Sequence, residues 1–458
     1  MSIPDAAAAE FEALFGERYV TSRGIRQQHQ PFQGPVLEGL PDAVAFPEST
    51  AEVSQAVQIC ARHGVPLIPF GVGTSVESHI AAIHGGLTLD FGRMNKVLEV
   101  SPEDLDCTVE AGCTREELNH HIRDMGLMFP LDPGANATLG GMASTRASGT
   151  NAVRYGTMLQ NVLRLKVVLA DGRTFWTGTR ARKSAAGYDL TRLFVGAEGT
   201  LGIITEVSLR LQGIPEAMSA AVCAFPDLES AVNTVILTIQ SGIPVARMEL
   251  MDTLQVRACN LHSKLGLEET PTLFFEFHGS QASVKEQAES VEIIAQEFGG
   301  SNFQWATKTE DRNRLWKARH EAYFAGLELK PGANVFATDA CVPISRLAEV
   351  ILETREDLDQ SGIIAPIVGH VGDGNFHVQL MFDPDKPEER KLCEELNSRI
   401  SDRAQRMGGS CTGEHGIGLG KREKLVKELG ADAVNLMRSL KTTLDPNNIL
   451  NPGKIFLN

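Results

Sequence analysis

Residues 131–156 read LDPGANATLGGMASTRASGTNAVRYG, and the reading of this stretch decides the fold. It combines Pro133-Gly134, Gly140-Gly141 and Gly149 with the small hydroxyl residues Thr138, Ser144 and Ser148, and it carries few charges. A loop open to water would hold more charge. A long irregular segment inside a compact domain is usually functional. Small side chains with backbone N–H groups within reach suit a flat, extended, anionic ligand such as a dinucleotide.

The segments on either side extend the reading. PFGVGTS, from Pro69 to Ser75, sets Phe70, Gly71, Val72, Gly73 and Thr74 directly after a predicted strand. Taken alone, an ordinary tight turn explains it equally well. It is not a Rossmann fingerprint, because Val76 stands where the third glycine would fall, and no GxxxxGK[ST] occurs. AEGTLGIIT adds Gly199, Gly202 and Ile203 in a third backbone-exposed stretch. Ser49 with Glu52 and Thr114 with Glu117 predict capped helices, the first closing at Gly64 and the second near Gly126. GLTLD, KVLEV and CTVEAG read as strands, and LRLKVVLADGRTFWT as a hairpin turning at Asp171-Gly172. Residues 38–216 thus form one α+β unit.

Beyond it, AAVCAF, VARMELM, TLFFEFHG and VFATDACVPIS alternate with helical stretches at 227–241, 283–298, 310–328 and 345–360. This predicts a second domain over 217–409, an antiparallel sheet backed by helices on one face. Residues 410–458 form a third, glycine-rich segment, and 1–37 a helical N-terminal one.

At 458 residues the chain is too long for one core, and its net charge of −15 with no Lys/Arg run argues against a nucleic-acid partner. The eight cysteines are scattered, without a CxxC pair, and read as reduced and mostly buried, Cys411 included. No apolar run is long enough for a transmembrane helix, and the N-terminus does not read as a targeting sequence. The expected location is the cytoplasm, with contact to the inner face of a membrane left open.

GHVGDGNFHV, residues 369–378, is the clearest chemical signal. With Asp373-Gly374 as a two-residue turn, His370 faces His377 across a hairpin, Cβ atoms about 4.5–5.5 Å apart. Two imidazoles so placed can share a divalent metal. Glu414, in CTGEHGIG, offers the carboxylate that would complete a His/His/Glu set, which suits zinc or manganese. His415 beside it is the candidate general base, or a fourth metal ligand. Asn375 either contacts the substrate or simply forms the turn. Arg319, in the helical stretch NRLWKARHEAYF, has the guanidinium that recognises carboxylates, and its neighbours Arg312, Arg314 and Lys317 read as solvated.

Taken together, PFGVGTS, LDPGANATLGG, ASGTNAVRYGT, GAEGTLGIIT, LWKARH, ATDACVPISRL, VGHVGDGNFH, CTGEHGIG and LNPGK resemble the vanillyl-alcohol oxidase type of flavoprotein. Within it they are most similar to the FAD-linked D-lactate dehydrogenases, with glycolate oxidase subunits and D-2-hydroxyglutarate dehydrogenases as near relatives. The resemblance covers nearly the whole chain. It implies an α+β fold: a two-part PCMH-type FAD-binding domain, a ferredoxin-like antiparallel-sheet cap, and a C-terminal segment returning to the FAD domain.

It also implies roles. Segments 70–75 and 133–151 would wrap the pyrophosphate and ribityl parts of non-covalently bound FAD, with Asn151 ending that stretch and Tyr155 expected at the cofactor just beyond it. Ile203 would hold the adenine half, and Asn451 would approach the flavin. Arg319 matches the substrate-anchoring arginine. Relatives often carry glycine where this chain has Ser78, a difference read as a backbone adjustment, and a covalent link to His79 is not expected. Hydroxyglutarate enzymes place a lysine in the strand after the Arg319 helix. Here Asp339 stands there and, facing the pocket, would repel a second carboxylate, which favours lactate.

The expected reaction is oxidation of a D-2-hydroxy acid with hydride transfer to flavin N5, the metal lowering the hydroxyl pKa and His415 taking its proton. A quinone, a cytochrome or an electron-transfer flavoprotein would reoxidise the flavin, and a homodimer is an open assembly. Two other readings are a metal-dependent hydrolase, which leaves the glycine-rich segment unexplained, and a non-catalytic FAD-bearing subunit.

Overall fold

The computed structural model describes residues 3–31, 34–36 and 38–457. Residues 1, 2, 32, 33 and 37 of the expected N-terminal segment lie outside the described residues. The chain forms two compact units. The first runs to Ser148, resumes over Gly156–Ile214 and takes in the chain from Glu414 onward; the second is Gly149–Tyr155 with Pro215–Gly413. The break inside the glycine-rich segment was not foreseen.

Local chemistry explains the helices of the first unit. Ser49 accepts from the Glu52 N–H to start Thr50–His63, and Gly64 ends it in the left-handed conformation. The expected reciprocal box is only half made there, because the Glu52 carboxylate bonds Arg18 and the Glu48 N–H instead. At Thr114 and Glu117 the full capping box forms. A four-stranded sheet runs in the order Tyr19–Val20, Ala43–Ala45, Leu87–Asp90, Leu67–Phe70, with only the first pair antiparallel. A five-stranded antiparallel sheet runs Val97–Ser101, Asp106–Glu110, Ile203–Arg210, Val162–Val168, Thr174–Trp176. One hydrophobic core joins both sheets.

The segment 131–156 is less irregular than its composition suggests. Thr138 caps a short helix, Leu139–Thr145, by accepting from the Gly141 N–H at 3.3 Å. Gly140 is needed there because a Cβ would lie 2.6 Å from Ala111 Cβ, so the helix sits flush on the Ala111 backbone. At the far end of the chain, Arg422–Leu444 is two helices merged across a kink at Gly430, where one was expected.

The second unit is built on a sheet in the order Ser301–Ala306, Ala217–Ala224, Thr272–Gly279, Arg247–Met251, Ile367–Gly369, Asn375–Phe382, Asn334–Ala337, antiparallel at every step. Helices cover both faces rather than one. Leu228–Gln240, Gln281–Glu297, Leu347–Ser361 and Pro387–Arg406 pack into the larger core, and Thr253–Ser263, Thr309–His320 and Ala322–Leu327 into a smaller one. The run TLFFEFHG explains the difference: Leu273, Phe275 and Phe277 enter one core and Phe274 the other. A strand apolar on both faces needs cover on both.

Gly140→Ala should lower stability by about 1–3 kcal/mol, the usual cost of overpacking. Thermal unfolding checks this, and an unchanged midpoint would mean the helix is not seated on Ala111.

Candidate functional site

In the first unit, four chain segments meet around the end of the Leu67–Phe70 strand. Phe70 leads into Gly71, where a Cβ would strike the Thr138 hydroxyl. Gly199 has φ +71°, and its Cβ position lies 2.5 Å from the Pro69 ring. The Glu198 N–H bonds the Ser144 carbonyl at 2.9 Å and the Gly196 N–H that of Ala143 at 2.9 Å, so the 196–199 turn is tied to the capped helix. Ser75 Oγ is buried with no hydrogen-bond partner among the described residues. Backbone brought this close, beside an orphaned hydroxyl, fits a phosphate-bearing cofactor. Val72 and Gly134 are exposed, while Gly202 and Ile203 are buried. Ile203 belongs to the main core, so its side chain serves packing and only its backbone remains for a ligand.

Ser78 adopts φ +58°, a conformation that favours glycine. Its hydroxyl offsets the strain by accepting from the Val36 N–H at 3.0 Å and donating to the Val36 carbonyl at 2.7 Å. Asn451 is buried, and its amide donates to the carbonyls of His79 at 3.0 Å and Glu198 at 2.8 Å while accepting from Lys454 Nζ at 3.1 Å. It therefore acts as a clamp between two segments. Burial pushes Lys454 down to about 7 against the pull of Glu198. Glu414 and His415 open the C-terminal part of this unit and are half-buried.

Asn151 and Tyr155, expected at the cofactor, belong to the second unit, where the Asn151 side chain accepts from Arg247 Nε at 2.9 Å and Tyr155 pairs with His278 at 2.7 Å.

The second unit brings His370, His377, Asn375 and Arg319 into one neighbourhood. The hairpin register is corrected: Val368, not His370, faces His377. The turn is the longer 3-10 segment Val371–Asp373, and His370 lies just past the strand end. The two rings nevertheless lie 5.4 Å apart, centroid to centroid, at 82°. His370 is two residues beyond Val368, so strand alternation returns it to the His377 face.

Sequence reading missed Glu249. It is fully buried, its carboxylate accepts from His370 Nδ1 at 2.8 Å, and it pairs with Arg319. An acid in the apolar run VARMELM was the available signal. Arg319 is itself buried, and its Nε has no hydrogen-bond partner among the described residues. Of its neighbours, Arg314 and Lys317 are exposed, whereas Arg312 is half-buried and donates to the Met218 carbonyl at 2.8 Å. His377 Nδ1 sits 3.0 Å from the Thr338 carbonyl. A histidine donating from Nδ1 to a carboxylate or carbonyl keeps its lone pair on Nε2, the arrangement of metal-ligating histidines.

Asp339 is buried and accepts from Asn375 Nδ2 and Thr412 Oγ1, each at 2.7 Å. It is a strut for the turn and for the segment at Thr412, so the expectation that its charge repels a second carboxylate loses its basis. Asn375 also donates to the Ala340 carbonyl at 2.9 Å, which makes turn-holding its observed role. Among the described residues all eight cysteines are free and only Cys341 is not buried.

The family model for the C-terminal domain of FAD linked oxidases matches residues 214–455, and that for an FAD binding domain matches 41–178. The chain belongs to the FAD-linked oxidase family. A probable mitochondrial D-lactate dehydrogenase of Danio rerio is 49% identical to this family member, covering 98% of this chain and 92% of the relative. A mitochondrial D-lactate dehydrogenase [cytochrome] of Arabidopsis thaliana is also 49% identical, covering 99% and 80%. In fold, the 4-ethylphenol oxidase of Gulosibacter chungangensis is similar, with TM-score 0.80 at 21% identity, covering 98% and 96%. The FAD-linked oxidase fold is thus the vanillyl-alcohol oxidase-like α+β architecture. No helix among its described residues is long and apolar enough to cross a membrane.

Glu249→Ala should destabilise the protein by about 3–5 kcal/mol, because it strands the buried Arg319 charge. Denaturant titration tests this, and a loss under about 1 kcal/mol would mean that Arg319 is effectively solvated.

Proposed function

We propose that this protein oxidises a small D-2-hydroxy acid, D-lactate first among the candidates, to the 2-keto acid. The observation that carries this is Arg319 held by the same buried carboxylate that orients His370. That one strut sets a carboxylate-recognising guanidinium beside a pair of imidazoles ready for a cation. The names borne by the relatives point to the same substrate and to its D configuration.

The parts have distinct tasks. Arg319 anchors the substrate carboxylate, and its Nε, buried without a protein partner, is the donor left for it. His370, His377 and Glu414 would hold the cation. The glycine cradle of the first unit would hold FAD through backbone donors and Ser75. When bound, FAD supplies the acceptor for the Cα hydrogen with its electron pair, and a zinc or manganese ion supplies Lewis acidity at the 2-hydroxyl. His415 accepts the hydroxyl proton. Two electrons and two protons leave the substrate, which closes the balance for a ketone product. The name of the Arabidopsis relative favours a cytochrome as the next electron carrier.

Anaerobic titration of the FAD-loaded protein tests the substrate, with D-lactate, L-lactate and D-2-hydroxyglutarate run in parallel. The flavin absorbance should bleach with D-lactate alone. Bleaching only with hydroxyglutarate would move the assignment to a dicarboxylate. A chelator that leaves FAD bound should abolish turnover, and undiminished activity would remove the metal from the mechanism. Glu249→Gln should weaken metal binding about 10–100-fold by releasing His370, measured by metal titration of the stripped protein.

A further inference from the structure

Glu198 is an acid to which neither the sequence analysis nor the proposed chemistry gives a role. It lies in GAEGTLG, is buried, and has φ +54°, a strained setting for a long side chain. Its side chain reaches the segment after His415. Oε1 accepts from the Ile417 N–H at 2.7 Å, and Oε2 from the Gly418 N–H at 2.8 Å. Gly416 lies against the same carboxylate: at φ +80°, a Cβ there would stand 2.8 Å from both Glu198 Oε1 and His79 Nε2. His79 is buried too, with Nε2 3.5 Å from Glu198 and neither ring nitrogen hydrogen-bonded. Burial pushes the Glu198 carboxyl up, but the neighbouring His79 ring and the two backbone donors outweigh it and hold the group below its usual range.

We propose that Glu198 is the positioning residue for the catalytic loop, fixing the 416–418 backbone so that His415 is presented in one orientation. The proposal rests on the reading of His415 as the base. The geometry supports it on three counts. Both carboxylate oxygens are used, each on a consecutive N–H, so the loop is held at two points and cannot pivot about one. The left-handed backbone at Glu198 is retained where glycine would be unstrained, so the side chain compensates for local strain. Asn451 clamps the carbonyls of His79 and Glu198 from the other side, which makes the anchor itself rigid. Glu198 also belongs to the 196–199 turn of the cofactor cradle. One short turn thus ties the proposed flavin site to the proposed base.

Glu198→Gln is the test, because it keeps the size but sets an NH2 group against one of the two N–H donors. In the FAD-loaded protein, hydrogen–deuterium exchange over 414–420 should speed up, most at Ile417 and Gly418. With D-lactate, kcat should fall about 10–100-fold, as for a displaced catalytic group, while KM stays within about twofold because the Arg319 anchor is untouched. Glu198→Asp, which keeps both acceptor oxygens, should recover part of the lost kcat. Unchanged exchange overturns the proposal, and so does faster exchange with unaltered kcat. If Glu198→Gln does not fold, Gly416→Ala disturbs the same contact from the loop side, and an unchanged kcat there overturns it as well. If the parent protein oxidises no 2-hydroxy acid, the proposed function falls, while the exchange measurement still decides whether Glu198 holds the loop.

Discussion

Leu67 opens the edge strand of the four-stranded sheet, and both its backbone groups are taken by the far end of the chain. Its N–H bonds the Ile449 carbonyl and its carbonyl the Asn451 N–H, each at 2.8 Å. A buried strand edge cannot leave donors and acceptors unpaired. The last residues must therefore return to the first sheet before the first unit is complete. Once they do, Asn451 and Lys454 fall into place on the His79 and Glu198 segments, and the 414–418 loop is carried along with them. The unit is discontinuous in sequence because one strand edge demands it.

Buried charge is handled the same way at three acids across the two units, each of which holds more than one partner. Glu249 joins Arg319 to His370, Asp339 joins Asn375 to Thr412, and Glu198 joins two consecutive amides beside His79. An ionised carboxylate out of water is tolerated only where its oxygens are satisfied. These three acids convert that constraint into orientation, since removing any of them would free the groups they fix. Residue type alone does not mark these roles, because in sequence each acid sits within an apolar or small-residue run.

Much of the site was legible in the residues. The glycine-rich stretches, the GHVGDGNFH turn, Arg319 and the GEHG segment mark their chemistry through residue type and spacing. The expected hairpin was right in bringing His370 near His377 and wrong in how: a longer turn shifts the pairing by two residues, and strand alternation preserves the shared face. Of the two roles open to Asn375, the turn-holding one is what the structure shows, and its partner is Asp339. The helices Thr253–Ser263 and Pro387–Arg406 went unrecognised because they lie between the segments whose patterns stood out.

The sequence by itself determined the family, the capped helices, the longer strands of the first unit and the residue types available for chemistry. These follow from local propensity and from motifs whose spacing is short. Only the tertiary structure decided that Gly149–Tyr155 leaves the first unit, that helices cover both faces of the second sheet, and which buried acids hold which partners. Those outcomes depend on pairings between residues far apart along the chain. Edge strands and buried carboxylates choose such partners by what remains unsatisfied once everything else has packed.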